Sequence, residues 1–600
     1  MEDACVAEKA TIRTITPAWE VKASFLAVVG NPPSGRLRTQ GMKDSAHVLD
    51  QDHAVRRSAL ASAAGGVLAV GAGVAVAHLL AALTQPSRSP LVAVGAAFID
   101  LTPTWLKELA VEKFGTADKA VLLGTIATIL VLVAAGVGLL ARRYRRAAIV
   151  LASAVGLVAA VAALSRPGAS AVDAVPAVVG ALVAGGALAL ITRPAAPREV
   201  LPVPPEPVAA RTGPADAMSG LASSEGRSSI PVGADAPRVA AQDHAPGRRS
   251  VLLGVVGVAG LAVVAGSVGE VVGRRRSDVS AARAAIRLPA PDDPAVMLPS
   301  TVEVGVPGVT PFRVPNAEFY RVDTALTVPA VDPGSWSLSV GGMVDRPYSL
   351  SYADLLAMPL VERDLTLTCV SNEVGGQYAG NARWLGVRVK DLLAHAGVDP
   401  RADQLLSRSV DGWSASTPIA AVTDDRDAIV AVAMNGEPLP AEHGFPARMV
   451  VPGLYGFVSA TKWLVSLEPS TYSAEQAYWT QRGWATDAPV RTMARIDVPQ
   501  PLSTVRAGRV AVAGVCWAQH RGIDGVEVQV DDGPWRTAKL GSVPSDDTWR
   551  QWVVSWDATP GRHTLRARAT DGTGRTQPQA RLTPFPSGAQ GWHEVVVIVE

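Results

Sequence analysis

Six hundred residues that are 48% hydrophobic and 18% charged, with a mean hydropathy of +0.21, make a chain too long for one compact core and too apolar for an ordinary soluble enzyme. Fifty-five Lys and Arg against 54 Asp and Glu leave a net charge of +1, which argues against a polyanion-binding surface spread over the chain, so nucleic acid is not an expected partner. The 3 cysteines, Cys5, Cys369 and Cys516, form no CxxC pair, no haem-attachment motif and no even-numbered disulfide framework, so any chemistry at a cysteine is individual.

A polar N-terminal tail, 1–55, precedes a region, 56–192, that reads as four transmembrane helices. Residues 59–83 carry no charged side chain, and about 20 apolar residues at a rise of roughly 1.5 Å cross the hydrocarbon of a bilayer. Further uncharged runs at 120–141, 147–164 and 174–191 leave no polar face to meet water, which predicts an all-α membrane bundle. Their abundant small residues suit close helix packing in lipid. Arg56 and Arg57, then Arg142, Arg143, Arg145 and Arg146, then Arg193 and Arg198 flank these runs and assign those segments to the cytoplasm. Between the first two spans, Trp105, Leu106, Leu109, Ala110 and Phe114 share a helical spacing that predicts an interfacial amphipathic stretch. Within the spans only His78 has a side chain that ligates haem iron. A bis-histidine haem needs two, so no intramembrane haem is expected.

Residues 193–248 are rich in Pro, Ala, Gly and Ser and read as a flexible linker. Arg248 and Arg249 then introduce a fifth transmembrane segment, 249–273, which resembles a twin-arginine export signal placed inside the chain. Everything beyond it falls outside, giving a multi-pass protein of the cell membrane whose catalytic half is extracytoplasmic. Arg274, Arg275 and Arg276 on that side run against the usual charge bias. A second linker, 274–300, leads into the globular half.

Two domains are expected there. In 301–494, short strands such as SWSLSVGG alternate with helices at YADLLAM and at VKDLLAHAGV, the latter closed by Gly397, an α+β pattern. In 495–600 there are only alternating apolar runs separated by Asp-Gly and Pro-Gly turns, the pattern of a β-sandwich in which Cys516 is a core residue. Cys369 ends an alternating strand just before Ser371, Asn372 and a Gly-Gly pair, where a thiol opens a loop; free cysteine is equally a common core residue. Asn316, Tyr320 and Arg321 upstream, with His443, Arg448, Ser459, Thr461 and Lys462 downstream, lie among apolar, Gly- and Pro-rich segments. Such cations are either solvated surface or the walls of an anion pocket. Phosphate-loop, dinucleotide-binding, zinc and serine-hydrolase motifs are all missing from the sequence.

The segments CVSNEVGG, MNGEPLP, HGFPAR, VVPGLYG and TKWL, in that order, resemble the molybdopterin-binding domain of the sulfite oxidase family, and 495–600 resembles that family's C-terminal immunoglobulin-like dimerisation domain. The likeness covers about residues 300–600 and leaves 1–275 without a counterpart. Together with the uncharged runs, it gives a multi-domain chain: an N-terminal all-α membrane bundle, an α+β sulfite-oxidase-like domain and an immunoglobulin-like β-sandwich. It also implies a Mo-molybdopterin cofactor with Cys369 on the metal. Asn316, Phe319, Tyr320, Asn372, His443, Arg448, Ser459, Ala460, Thr461 and Lys462 would hold the pterin and its phosphate, and Arg321 and Arg521 would bracket an anionic substrate. Trp413 stands where sulfite-oxidising members place a tyrosine, and an indole donates a hydrogen bond but cannot accept one or ionise near neutral pH.

The expected function is therefore oxygen-atom transfer at a Cys-ligated molybdenum, with sulfite or a similar small oxyanion as substrate. Electrons would pass to an unidentified carrier, and a homodimer would form through the last domain. The alternatives are a sulfoxide or N-oxide reductase fed by a membrane electron donor, and a non-enzymatic membrane protein that keeps the fold. Beyond anchoring, the four-helix bundle has no role that its residues specify.

Overall fold

The computed structural model describes residues 38–84, 89–103, 106, 118–166, 169–193 and 248–600. Cys5, most of the polar tail, the amphipathic stretch except Leu106, and nearly all of the 193–248 linker lie outside the described residues. The chain divides into two compact units, Met1–Ala61 and Ser62–Glu600. What is described of the first is the N-terminal part of one long helix; everything below concerns the second.

The helices are α1 (Arg38–Thr84), α2 (Pro90–Leu101), α3 (Asp118–Leu140), α4 (Arg145–Leu164), α5 (Val175–Ile191) and α6 (Arg248–Ser277). Five stretches, Ser58–Thr84, Lys119–Leu140, Arg145–Leu164, Ala171–Ile191 and Leu253–Ala285, are long and apolar enough to cross a membrane. Their outward faces carry exposed Ile129, Leu132, Val158, Leu182 and Val263, a surface that water would not tolerate at this extent. Small residues let the backbones meet: a Cβ on Gly66 or Gly138 would overlap the backbone of the facing helix at the α1–α3 crossing. Helix α2 was not among the sequence expectations. Its 12 residues are too few to span, and it starts at Ser89, which accepts from Val92 N–H, with Pro90 in the first turn.

The catalytic half contains two five-stranded sheets. In one, Val361–Thr368, Ala379–Arg388 and Ile429–Met434 run antiparallel, with Glu437–Pro438 and Arg448–Val450 both pairing to the last of these. Every residue of Ile429–Met434 is buried, which makes that strand the centre of the domain. The other sheet has the order Tyr348–Ser351, Ser337–Val340, Leu464–Ser470, Gln404–Ser409, Ser414–Pro418. The expected helices appear as Tyr352–Leu356 and Val389–Ala396, the latter capped by left-handed Gly397 at φ 72°.

From Met493, just ahead of the anticipated boundary, the chain forms four- and five-stranded sheets. Val512, Cys516 and Trp552 of one pack with Val526, Leu565 and Val597 of the other. Cys516 is fully buried and donates to the Arg550 carbonyl at 3.2 Å, the core role anticipated for it.

The strand that delivers Cys369 is clamped along its length. Asp364, with a side chain only 2% exposed, accepts from Arg313 at 2.6 Å and from Arg383 on the neighbouring strand at 2.7 Å. Removing the carboxylate strips Arg313 of its ion pair and leaves Arg383 only Glu362 at 3.3 Å and the Val296 carbonyl. Asp364→Ala should cost about 3 kcal/mol of stability; an unchanged thermal midpoint in detergent would contradict the clamp.

Candidate active site

Cys369 follows directly on Val361–Thr368. Its N–H donates to the Tyr378 carbonyl and its own carbonyl accepts from Asn372 N–H at 3.0 Å, while Asn372 Oδ1 accepts from Tyr378 N–H at 2.8 Å. The loop is thus stapled across its base by Asn372, and the thiol, 9% exposed, is presented to a cavity of about 150 Å³. Burial pushes the thiol pKa up, against hydrogen bonds from Ser371 and the field of Lys462. Left to itself it is a poor nucleophile.

Of the residues singled out in the sequence, Phe319, Tyr320, Cys369, Trp413, Arg448, Ala460 and Lys462 line this cavity. A second group stands behind the wall and fixes it. Asn316 Nδ2 donates to the Met434 carbonyl at 3.2 Å, and Asn316 Oδ1 accepts from Asn435 at 2.9 Å. His443 Nε2 meets the Asn316 carbonyl at 3.1 Å, Ser459 donates to the Tyr455 carbonyl at 2.9 Å, and Thr461 shares a 2.7 Å bond with Ser407. Arg321 is not in the lining; it pairs with Asp323, which is, at 2.8 Å.

Arg521 departs from its expected place. It lines a different cavity, with Arg426 and His520, because its guanidinium is already engaged by Asp571 at 3.1 Å, by the Val490 carbonyl at 2.8 Å and by Thr492 at 3.2 Å. The two arginines therefore do not converge over the thiol in this structure.

Charge is the unusual property of the cavity. Arg448 is 4% exposed, yet its guanidinium donates only to the carbonyls of His443, Met449 and Ala460 at 3.2–3.5 Å and lies over the Trp384 ring. No ion pair to it is found among the described residues. Burial pulls its pKa down to about 10. Lys462, also buried, reaches Asp323 at 3.1 Å and is drawn down to about 8, chiefly by burial. Burial alone would raise the Asp323 carboxyl, but Lys462, Arg321 and Lys119 hold it well below the carboxylate range. Burial, then the nearby Arg448 and Lys462, lower His443 to about 4.

Several buried polar groups have no partner: the donors Trp413 Nε1, Trp484 Nε1 and the Ser409 hydroxyl on the lining, and behind it His443 Nδ1, an acceptor nitrogen while Nε2–H faces the Asn316 carbonyl. Unpaired buried polar groups are costly, and their gathering around one cavity marks it as built for an acceptor-rich ligand. A buried cation without an anion, orphaned donors and a thiol at the end of a strand fit an anionic group that carries phosphate and a thiophilic metal. Ser409 and Asp411, next to Trp413, and the pair Trp479 and Trp484 were not foreseen. Ser409 and Asp411 flank a residue already singled out, whereas the two tryptophans enter only through tertiary packing.

The oxidoreductase molybdopterin binding domain family matches residues 325–479. Mitochondrial sulfite oxidase of Homo sapiens is 31% identical over 347 residues, 48% of this chain and 62% of that protein. The uncharacterized oxidoreductase YuiH of Bacillus subtilis is 36% identical over 156 residues, 26% of this chain and 74% of its own length.

The chain belongs to the sulfite oxidase family of molybdopterin-dependent oxidoreductases. Mo-molybdopterin is the cofactor that this membership implies. The sulfane dehydrogenase SoxCD of Paracoccus pantotrophus is a similar solved structure, with a TM-score of 0.41 and 24% identity over 46% of this chain and 76% of that one. The chain spans 62% of the length of the human sulfite oxidase, and the match to the family's domain begins after the long apolar helices.

His443 makes this family member's site sensitive to acid. Its folded pKa of about 4 lies below the ordinary 6.5, so between these values the unfolded chain binds a proton that the folded chain refuses. Stability is then lost as pH falls through that window, by up to about 3 kcal/mol. His443→Gln should therefore show a smaller drop in thermal midpoint between about pH 7 and pH 5 than the parent chain. Equal drops would contradict the assignment.

Proposed function

We propose that this chain is a membrane-anchored molybdopterin-dependent oxidoreductase that transfers an oxygen atom at a Cys369-ligated molybdenum, with sulfite or a similar small oxyanion as substrate. The observation that carries the reading is Arg448, buried without a counter-charge in the wall of the cavity that holds the only thiol of the domain. When bound, the cofactor supplies two-electron oxygen-atom chemistry, and the protein's work is to hold, orient and shield it. Cys369 is the protein's sulfur ligand; a bound metal ion favours its thiolate despite burial.

Arg448 and Lys462 receive the phosphate end, with neutral His443 bracing the wall behind them and Phe319, Tyr320 and Ala460 as packing walls. Asn316, Asn372, Ser459 and Thr461 keep the supporting loops in place. Arg321 sits at the cavity edge, 38% exposed, and is the first cation that an entering anion meets. Arg521, held by Asp571, Val490 and Thr492 at another cavity, is left out of the substrate pocket in this reading. Electrons go to a carrier not yet identified. The two-sheet domain from Met493 is the immunoglobulin-like dimerisation domain.

The arrangement of the bundle supports an extracytoplasmic catalytic half. Arg142, Arg143 and Arg146 lie at the α3–α4 end, whereas Asp100, Lys119 and Arg166, at the other end, bond to the catalytic half or to one another. With the basic end inside the cell, the cavity faces out.

One observation favours a second reading. Trp413 offers an indole N–H with no partner, and Phe457, Trp463, Trp479 and Trp484 share the cavity with it. Donor-only chemistry among aromatic walls suits a neutral S=O or N-oxide group, which accepts a hydrogen bond and carries no net charge, so a sulfoxide or N-oxide reductase is the alternative.

Molybdenum and pterin content, measured in the full chain and in Cys369→Ser, test the reading together with sulfite oxidation by an artificial one-electron acceptor. Metal in the parent chain with sulfite turnover that Cys369→Ser abolishes is the expected result. Metal without sulfite turnover, but with sulfoxide reduction by a reduced dye, selects the alternative. A correctly inserted chain that holds no metal overturns both.

A further inference from the structure

We infer that the membrane bundle is a structural part of the active site, and that Lys119 of α3 is a positioning residue which fixes the segment from Arg321 to Ala325. The Lys119 ammonium donates to Asp323 Oδ1 at 2.9 Å, to the Asp323 carbonyl at 3.1 Å and to the Ala325 carbonyl at 2.6 Å. An ammonium has three N–H bonds, and three acceptors of one short stretch of chain receive them.

Asp323 passes the constraint inward. Its Oδ2 accepts from Arg321 Nε at 2.8 Å and from Lys462 Nζ at 3.1 Å, and its side chain is only 7% exposed. One carboxylate therefore ties together a membrane helix, the arginine at the cavity edge and the lysine in its wall. Val322, Asp323 and Thr324 are themselves lining residues, so a shift of this stretch is a shift of the wall.

Two further contacts tie the bundle to the same wall. Asp100, at the end of α2, accepts from Arg166 at 2.8 Å and from Tyr478 at 3.1 Å, and faces Arg482 at 3.5 Å. Tyr478 adjoins Trp479 of the cavity, ring centroids 5.1 Å apart. Leu326 packs onto Gly95 of α2, close enough that a Cβ there would meet its methyl at 2.8 Å. A cavity of about 340 Å³ between bundle and catalytic domain shares Thr324, Asp411 and Trp413 with the first one. A tether needs none of this. Bringing charges of α2, α3 and α4 into part-buried contact carries a desolvation cost, offset by the ion pairs and hydrogen bonds that fix the partner segment.

The test uses the full-length protein in detergent, as Lys119→Met, Lys119→Arg and Gly95→Leu, the last forcing α2 off Leu326 without touching a charge. Lys119→Met should speed amide hydrogen exchange across 321–327. It should also raise KM for sulfite about tenfold while kcat stays within about twofold and molybdenum content holds. Lys119→Arg should recover most of both losses, and Gly95→Leu should speed the same amides.

Unchanged exchange and KM in Lys119→Met would overturn the inference, as would a uniform loss of molybdenum with KM unaltered in the loaded fraction. The kinetic arm rests on the function proposed above; the exchange arm does not. If the parent chain proves inert toward sulfite, that function fails, and exchange across 321–327 still decides the role of Lys119.

Discussion

A guanidinium buried with no carboxylate to meet it is the constraint around which the catalytic half is arranged. Arg448 begins a short strand paired to the fully buried Ile429–Met434, so the backbone cannot carry it out to solvent. Its charge is partly spread over three carbonyls and the Trp384 face. Carbonyl dipoles and an aromatic quadrupole soften the desolvation of a cation but do not abolish it. The protein keeps an energetically poor residue at its centre, the signature of a site completed by an anion. Lys462 extends the same positive field, which together with burial keeps His443 neutral, and Cys369 sits in the same enclosure as the one soft donor.

The positive field is balanced at a single point. Asp323 is held in the charged state by the three cations on it, and one of these comes from the membrane bundle. Electrostatics inside the cavity and packing of the apolar helices are thus coupled through one carboxylate. The human sulfite oxidase matches 48% of this chain, and the family's domain matches residues 325–479, beyond the apolar helices. These helices meet through glycines on one side and offer Asp100, Lys119 and Arg166 on the other, dividing hydrocarbon packing from polar docking.

Much of this was legible in the sequence wherever a local rule sufficed. Uncharged runs of sufficient length became helices long and apolar enough to cross a membrane, because a helix satisfies its backbone within one segment. Alternating runs such as GRVAVAGVCWA became the strand Gly508–Trp517, since a period of two has one use in a half-buried sheet. Cys369 fell at a strand end, as the alternation ahead of it required. What stayed hidden depends on distance in the chain. Helix α2 is too short for a span and reads as part of a loop. Nothing in the sequence singles out Asp323, which gains its role only because Lys462 and Lys119, remote in the chain, close on it. Arg521 was placed over the thiol by resemblance, whereas Asp571 and Thr492, brought in by the fold, hold it elsewhere.

The most direct test of the account compares Arg448→Met with the parent chain, each produced with and without molybdopterin synthesis in the host. If Arg448 is kept for a bound anion, the cofactor-free variant melts at the same temperature as the cofactor-free parent or higher, because a buried charge has been replaced by a side chain that packs. The same variant made in a cofactor-producing host then carries much less molybdenum than the parent. A cofactor-free variant that melts well below the parent, together with full molybdenum content in the loaded form, would show that Arg448 serves the fold and not the ligand.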